Sequence, residues 1–285
     1  MSRMKKTEIT KLLNTWFRLE NYNGLSELTL EELRRETYNR MIMFRTAFAP
    51  LSLSFSPDID ELAKNTEEAI FSGHPLVSHL RLPEHAIASD DHVQLLNMTD
   101  LNYWDRRTRR GNTFPRDERG VLILTNENAK TPVSECLNSG RGGMMYVKFD
   151  LSDSSDEEII ESMKAILPRW RKLYRMKDDK IGSFRFGIST IRKLIDYRII
   201  PLLDLMFWEK MADINLTFSY IERVLYPDND EYVRESPQIK DTDKPLALRT
   251  LDKEFQRLFY LFINKNNHLK DSKVDGVLKE FRDET

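Results

Sequence analysis

YRIIPLLDLMFWEKMADINLTFSYIERVLYP, residues 197–227, decides how the chain is read. From Phe186 to Ala212 the apolar positions Ile188, Ile191, Ile195, Ile199, Leu202 and Met206 recur at helical spacing. Pro201 interrupts them by removing a backbone donor. Beyond Pro201 the helix is apolar nearly all round, which suits the centre of a core rather than a surface. Asp213-Ile-Asn215 then turns the chain, and a second amphipathic stretch stops at Pro227. The pair is either a helix-turn-helix that holds DNA or two core helices meeting at a corner.

Outward from this pair the chain is mostly helical. Ile9, Leu12, Leu13 and Trp16 share one helix face. Thr29-Leu-Glu-Glu32 has the form of a capping box and opens a stripe of Leu30, Leu33, Met41, Phe44 and Phe48. Another helix follows from about residue 58 to residue 71. Ser155-Asp-Glu-Glu158 is a second capping box, leading into the apolar face Ile159, Ile160, Met163, Ile166, Leu167 and Trp170, which Pro168 should kink or end. A last amphipathic stretch carries Val274, Val277, Leu278 and Phe281.

Residues 113–151 differ in character. Val121-Leu-Ile-Leu124 and Met144-Met-Tyr-Val-Lys-Phe149 read as strands between turn-formers and a glycine cluster. The expected fold is therefore mainly α with a small β-sheet in the middle of the chain (α+β), and a helix-turn-helix-like pair in the C-terminal half. The expected organisation is an N-terminal helical region over 1–112, a small β segment over 113–151 packed on it, and a C-terminal helical domain over 152–285 containing the pair at 202–227.

Composition bounds the function. The 285 residues include 44 basic and 46 acidic side chains, so the net charge of -2 offers no global attraction to polyanions. Any nucleic-acid surface must be local. The single cysteine, Cys136, forms no internal bridge and points to a reducing compartment. The most apolar run, Ile199 to Trp208, contains Pro201 and Asp204 and is too short to span a bilayer. The expectation is a cytoplasmic protein, neither secreted nor in the membrane.

Little in the chain looks catalytic. His74, His79, His85 and His92 are crowded, but their spacings of five, six and seven do not place two ligands on one helix face. Ser139-Gly-Arg-Gly-Gly143 is followed by an apparent strand instead of the helix N-terminus a phosphate cradle needs. Asp150 sits where a strand-end acid would, yet Asp156, Glu157 and Glu158 are explained by the helix dipole they oppose. No nucleophile, histidine and carboxylate arrangement emerges, so no catalytic residue, metal or cofactor is expected, and the chain reads as a non-enzyme.

The basic run is the strongest functional signal. Met163 to Lys193 holds ten basic residues, Lys164, Arg169, Arg171, Lys172, Arg175, Lys177, Lys180, Arg185, Arg192 and Lys193, against Asp178 and Asp179, a local +8. Trp170, Tyr174, Phe184 and Phe186 are interleaved with it, a composition suited to phosphate contacts with stacking. Arg106, Arg107, Arg109 and Arg110 beside Trp104 make a smaller cluster. The alternative is a solvated basic face with the aromatics turned inward. In the helix pair, Ile214, Leu216, Ile221 and Val224 fit the buried positions of a helix-turn-helix aligned with Asn215 in the turn. Thr217, Ser219, Tyr220 and Arg223 would then face a groove, although Met211 stands where a small residue is usual.

Four further segments carry a family resemblance: Val147-Lys-Phe-Asp-Leu-Ser-Asp-Ser-Ser-Asp-Glu-Glu158; Tyr197-Arg-Ile-Ile-Pro-Leu-Leu-Asp-Leu205 with Trp208; Val224-Leu-Tyr-Pro227; and Thr242-Asp-Lys-Pro-Leu-Ala247. The chain resembles a bacterial family, domain of unknown function 6387, most closely over residues 145–260. The resemblance implies a bacterial protein associated with accessory or mobile genome regions, and supplies no catalytic residues. The leading expectation is a nucleic-acid-binding accessory protein whose partner is DNA or RNA. The rival is an interaction or scaffold protein whose basic face meets an acidic partner from the same locus. A third reading, a cryptic enzyme, would need Asp150 and the histidine-rich stretch 74–92 to converge.

Overall fold

The computed structural model describes residues 6–48, 57–82, 101–102, 105–106, 109, 115–121, 123, 147–149, 151–175, 186–227 and 233–281. The chain divides into two compact units, the first formed by Met1–Asp91 with Ser183–Thr285 and the second by His92–Gly182.

In the first unit, helix α1 (Lys6–Leu13) leads through a 3-10 segment (Leu19–Glu27) to α2 (Leu30–Phe48) and α3 (Pro57–Phe71). The second unit contributes α4 (Asp156–Leu173). The first unit resumes with α5 (Ile188–Asp196), α6 (Ile199–Met211) and α7 (Phe218–Leu225). A π-helical turn (Ile239–Asp243) precedes α8 (Lys244–Thr250), α9 (Lys253–Lys265) and α10 (Val274–Glu280).

Helix α6 is the central element, buried at every position from Ile199 to Phe207. Phe207 meets Phe44 at 5.1 Å and Phe48 at 5.3 Å between ring centroids, and Trp16 packs edge-on against Phe71 at 4.7 Å. A fully buried side chain such as Phe207 contributes roughly 1.5–3 kcal/mol, the partly buried Phe48 and Phe71 less. Pro201 does not interrupt the helix. The break lies at Arg198, whose left-handed backbone (φ 47°) makes it the N-cap, and Pro201 falls in the first turn, where an amide has no intrahelical partner. The first helical bond, Leu202 N–H to the Arg198 carbonyl at 3.0 Å, comes after the proline.

Both capping boxes form. Glu32 N–H donates to Thr29 Oγ1 at 3.2 Å while Thr29 N–H donates to Glu32 Oε2 at 2.8 Å. Thr29 also bridges Lys273, with Val274 N–H donating to the Leu28 carbonyl at 2.8 Å, so the starts of α2 and α10 are tied together. In the second unit Ser155 and Glu158 make the same reciprocal pair.

The apolar core encloses a charged group. Arg40, Glu36 and Asp204 are all fully buried. Arg40 Nε and Nη2 donate to the two oxygens of Asp204 at 2.8 and 2.7 Å, and Nη1 donates to Glu36 Oε2 at 2.6 Å. Arg40 Nη2 also donates to the Pro75 carbonyl, Tyr22 Oη to Asp204 at 2.8 Å, and Ser78 N–H to Glu36 at 2.6 Å. Burial pushes the carboxyls of Glu36 and Asp204 upward, and Arg40 pulls them back. Burial opposes the charge of Arg40, but Asp204 and Glu36 outweigh it and hold the guanidinium above its usual value. Burial, reinforced by Asp204, holds the Tyr22 hydroxyl protonated well above its ordinary range.

The expected small β-sheet over 113–151 is not found: the described residues contain no strand. Leu122, Leu124 and Met144 to Tyr146 lie outside the described residues, while Val121, Ile123, Val147, Lys148 and Phe149 are not in strands. A sheet needs a face to bury, and these apolar side chains have none: Val121 is 60% exposed and Leu151 74%. What does form is a tight turn. Asp117 accepts from Arg119 N–H at 2.9 Å and Val121 N–H at 2.8 Å through its side chain, and Gly120 supplies the left-handed residue at φ 78°. Ile123 N–H reaches back to the Pro115 carbonyl at 2.8 Å. The first apolar run thus leads out of a local turn, and strand propensity without cover did not make a sheet at the described positions.

Candidate nucleic-acid interface

Of the basic run, Lys164, Arg169, Arg171, Lys172 and Arg175 sit on α4 and just beyond it, whereas Arg192 and Lys193 belong to α5 in the first unit. Lys164, Arg169, Arg171, Lys172 and Arg175 are all exposed, and α4 contains no buried residue. Lys164 is held by Glu161 at 2.7 Å. Arg171 and Lys172, in the last turn, oppose the negative end of the helix dipole, so part of their presence is explained without a ligand. Trp170 and Tyr174 are half-buried. The helix runs through Pro168 to Leu173 rather than ending there. Lys177, Lys180, Arg185 and Phe184 lie outside the described residues. Phe186 belongs to the first unit's core, stacked on Phe259 at 4.6 Å, and is not a platform for bases.

The helix pair is set by a helix C-cap. Ile214 N–H donates to the Glu209 carbonyl at 3.1 Å across Asp213, whose φ of 49° supplies the left-handed position usually given to glycine. Glu209 Oε1 then accepts from Leu216 N–H at 2.8 Å, fixing the far side of the turn. The left-handed turn residue is therefore Asp213, two positions before Asn215. Leu216 and Ile221 are buried and Ile214 and Val224 partly so, while Met211 is 48% exposed.

The groove-facing set is smaller than its composition suggests. Tyr220 is buried, and its hydroxyl donates to Thr10 Oγ1 at 3.1 Å. Thr217 is exposed, but its hydroxyl oxygen caps α7 by accepting from Tyr220 N–H. Ser219 and Arg223 remain exposed, with Arg223 Nε donating to the Ser219 carbonyl at 3.1 Å. Glu222 accepts from the amide and hydroxyl of Ser236, anchoring the segment before α8. Lys164 to Arg175 belong to the second unit, and Thr217 to Arg223 to the first.

Other candidates lose chemical promise. In the small arginine cluster, Arg109 pairs with Asp105 at 2.7 Å and Arg116 pairs with the same carboxylate at 3.1 Å. Those arginines hold Asp105 below its usual carboxyl range, the hydrogen bond from Arg109 contributing most. His74 and His79 are exposed, whereas His85, His92 and Asp150 lie outside the described residues. Among the described residues no group of histidines, cysteines and carboxylates is arranged to hold a metal ion. A cleft of 320 Å³ in the first unit is lined by Arg192, Arg198 and Lys279 among others. Its cations bond to their own chain: Lys279 to Asp275 at 2.5 Å, Arg198 to the Leu225 carbonyl, Arg192 to the Leu278 carbonyl at 3.5 Å. Among the described residues no helix is long and apolar enough to cross a membrane.

Sequence reasoning missed the group Tyr22, Glu36, Arg40 and Asp204. Its signal was present, because Asp204 is the one acid inside an otherwise apolar helix segment and Glu36 and Arg40 stand one helical turn apart. It also missed Arg234, which pairs with buried Asp243 and lies 3.9 Å from the centroid of the Tyr197 ring.

A family model described as a family of unknown function (DUF6387) matches residues 9–260, extending the likeness well into the N-terminal helices. No curated protein and no solved structure matches the chain.

Proposed function

The chain belongs to the DUF6387 family of unknown function, and within it we propose that this protein is a nucleic-acid-binding accessory protein working in the bacterial cytoplasm. The observation that carries the reading is the exposure of Arg169, Arg171, Lys172 and Arg175 together at one end of a helix with no fully buried residue. Guanidinium and ammonium groups grouped in this way meet successive phosphates, with Lys177, Lys180 and Arg185 continuing the run, and the half-buried Tyr174 beside them offers a ring for stacking. Such contacts give affinity without base readout.

The helix pair plays a lesser part in this reading. With Tyr220 buried and Thr217 engaged as a cap, Ser219 and Arg223 alone offer little sequence discrimination.

Fluorescence anisotropy with labelled duplex DNA and RNA tests the proposal. The wild-type affinity should fall steeply with salt, and the slope of log K against log salt should flatten by about 0.9 for each duplex phosphate contact removed. Reversal of Arg169, Arg171, Lys172 and Arg175 to Glu should abolish binding, whereas Ser219→Ala with Arg223→Ala should change it little. Unchanged binding after the fourfold reversal would overturn the reading. A chain that ignores nucleic acid but retains an acidic protein through those four residues would support the scaffold reading instead.

A further inference from the structure

Helix α4 has a pattern that phosphate binding does not explain. Ile159, Met163, Ile166, Trp170 and Leu173 follow one another at intervals of four, three, four and three, the spacing of a coiled-coil seam. Ile160 and Leu167 widen the seam on one side, and they stand 52% and 38% exposed, with Leu173 at 66%. None of the helix's residues is fully buried along 18 residues that span about 27 Å, with Ile159, Met163, Ile166 and Trp170 half-covered and Leu173 exposed. A strict alternation of four and three fits the narrow ridge of another helix better than a flat surface.

The charges along α4 say what that partner is. Asp156, Glu157, Glu158 and Glu161 occupy its first two turns, and Lys164, Arg169, Arg171 and Lys172 the remainder. The helix is neutral in sum but strongly segregated. A second copy laid antiparallel sets each acidic end beside a basic end and also opposes the two helix dipoles, whereas a parallel copy stacks like charge on like.

We propose that α4 is a self-association helix, pairing antiparallel with α4 of a second copy of this chain. In this register Ile159 of one copy lies beside Trp170 of the other, and Met163 beside Ile166. Lys164, Arg171 and Lys172 fall outside the apolar seam, on the flanks where the acidic end of the other copy lies. The inference rests on the seam and the charge order, not on nucleic-acid binding, and the two can fail separately.

Sedimentation equilibrium of the full chain is the first test: a monomer–dimer equilibrium is expected, with a midpoint of about 10–100 µM for so short an interface. Ile166→Glu should weaken it by about a hundredfold or more, because the seam then buries an unpaired charge. The variant should keep its circular dichroism and its nucleic-acid affinity per chain. Orientation is read by crosslinking in a Cys136→Ser background, mixing two differently tagged chains, one with Ile159→Cys and one with Trp170→Cys. The antiparallel pair gives the mixed crosslink in preference to either self-crosslink. A wild-type chain that stays monomeric throughout, a dimer untouched by Ile166→Glu, or self-crosslinks in excess overturns the proposal. Unfolding of the Ile166→Glu chain does so too, because it would place the seam inside the chain's own core.

Discussion

Helices α6 and α4 begin from similar material and end differently. Each carries apolar residues and a proline, yet α6 is buried from Ile199 to Phe207 while α4 has no fully buried residue. The prolines differ in the same way: Pro201 sits in the first turn, where no helical bond is lost, and Pro168 sits deep inside α4, where the Lys164 carbonyl loses its donor. An exposed helix tolerates that loss because water can take the orphaned carbonyl. A buried helix has no such recourse, and α6 accordingly begins its bonding after its proline. The same rule governs Asp204, a carboxylate that α6 holds in a dry core because Arg40 and Tyr22 between them reach both of its oxygens.

The largest break in this contrast should come from that carboxylate. Asp204→Ala leaves the Arg40 guanidinium buried with only Glu36 as its counter-ion, and removing one partner of a buried pair costs about 3–5 kcal/mol. Urea unfolding should show this as a large drop in the midpoint. Ile166→Ala in α4, a comparable loss of side chain, should change stability by less than about 1 kcal/mol, since that position is only partly covered. Equal losses at the two sites would mean that α4 is packed as tightly as α6.

Much of this contrast was legible in the sequence. The capping boxes at Thr29 and Ser155 mark their helices because the signal is local, a hydroxyl and a carboxylate three residues apart. The all-round apolarity after Pro201 marks burial for the same reason. What escaped depended on distant partners. Asp204 is visibly odd in its helix, but Arg40 lies 164 residues away, and nothing local predicts the pairing. Tyr220 has the composition of a groove-reading residue and is turned inward to Thr10, 210 residues earlier. The expected strands failed on cover: Val121 and Ile123 have strand-forming side chains and remain exposed, so propensity had nothing to pack against.

The two prolines give the next sharpest test, because their replacement should act in opposite directions. Pro168→Ala restores a donor to the middle of α4 and removes a residue about 3 kcal/mol less favourable than alanine in a helix interior. Hydrogen exchange should slow for the amides of residues 164–173. Pro201→Ala gains no helical bond and opens a small void in a buried position, so it should lower stability by about 1 kcal/mol. Slower exchange in α4 together with a stabilised Pro201→Ala variant would remove the distinction between the two sites.

The smallest effect separates the two capping boxes. Thr29→Ala should cost about 1 kcal/mol in global unfolding, because the start of α2 is also tied to α10 through the Leu28 carbonyl. Ser155→Ala should fray the first turn of α4 without moving the unfolding midpoint of the first unit. Acid provides an independent check. The amide of Thr29 holds Glu32 below its usual carboxyl range, and the amide of Ser155 does the same for Glu158. A carboxyl depressed in the folded chain adds stability above its unfolded pKa of about 4.3, and that stability is lost as the pH falls through the folded value. Below that range the wild type and a Glu32→Ala chain, which lacks the depressed carboxyl, should converge in stability. Their difference should be fully present at neutral pH, where Glu32 is ionised and accepts from the Thr29 amide. A gap between the two chains that stays constant into acid would show that the ionisation of Glu32 contributes nothing to the box.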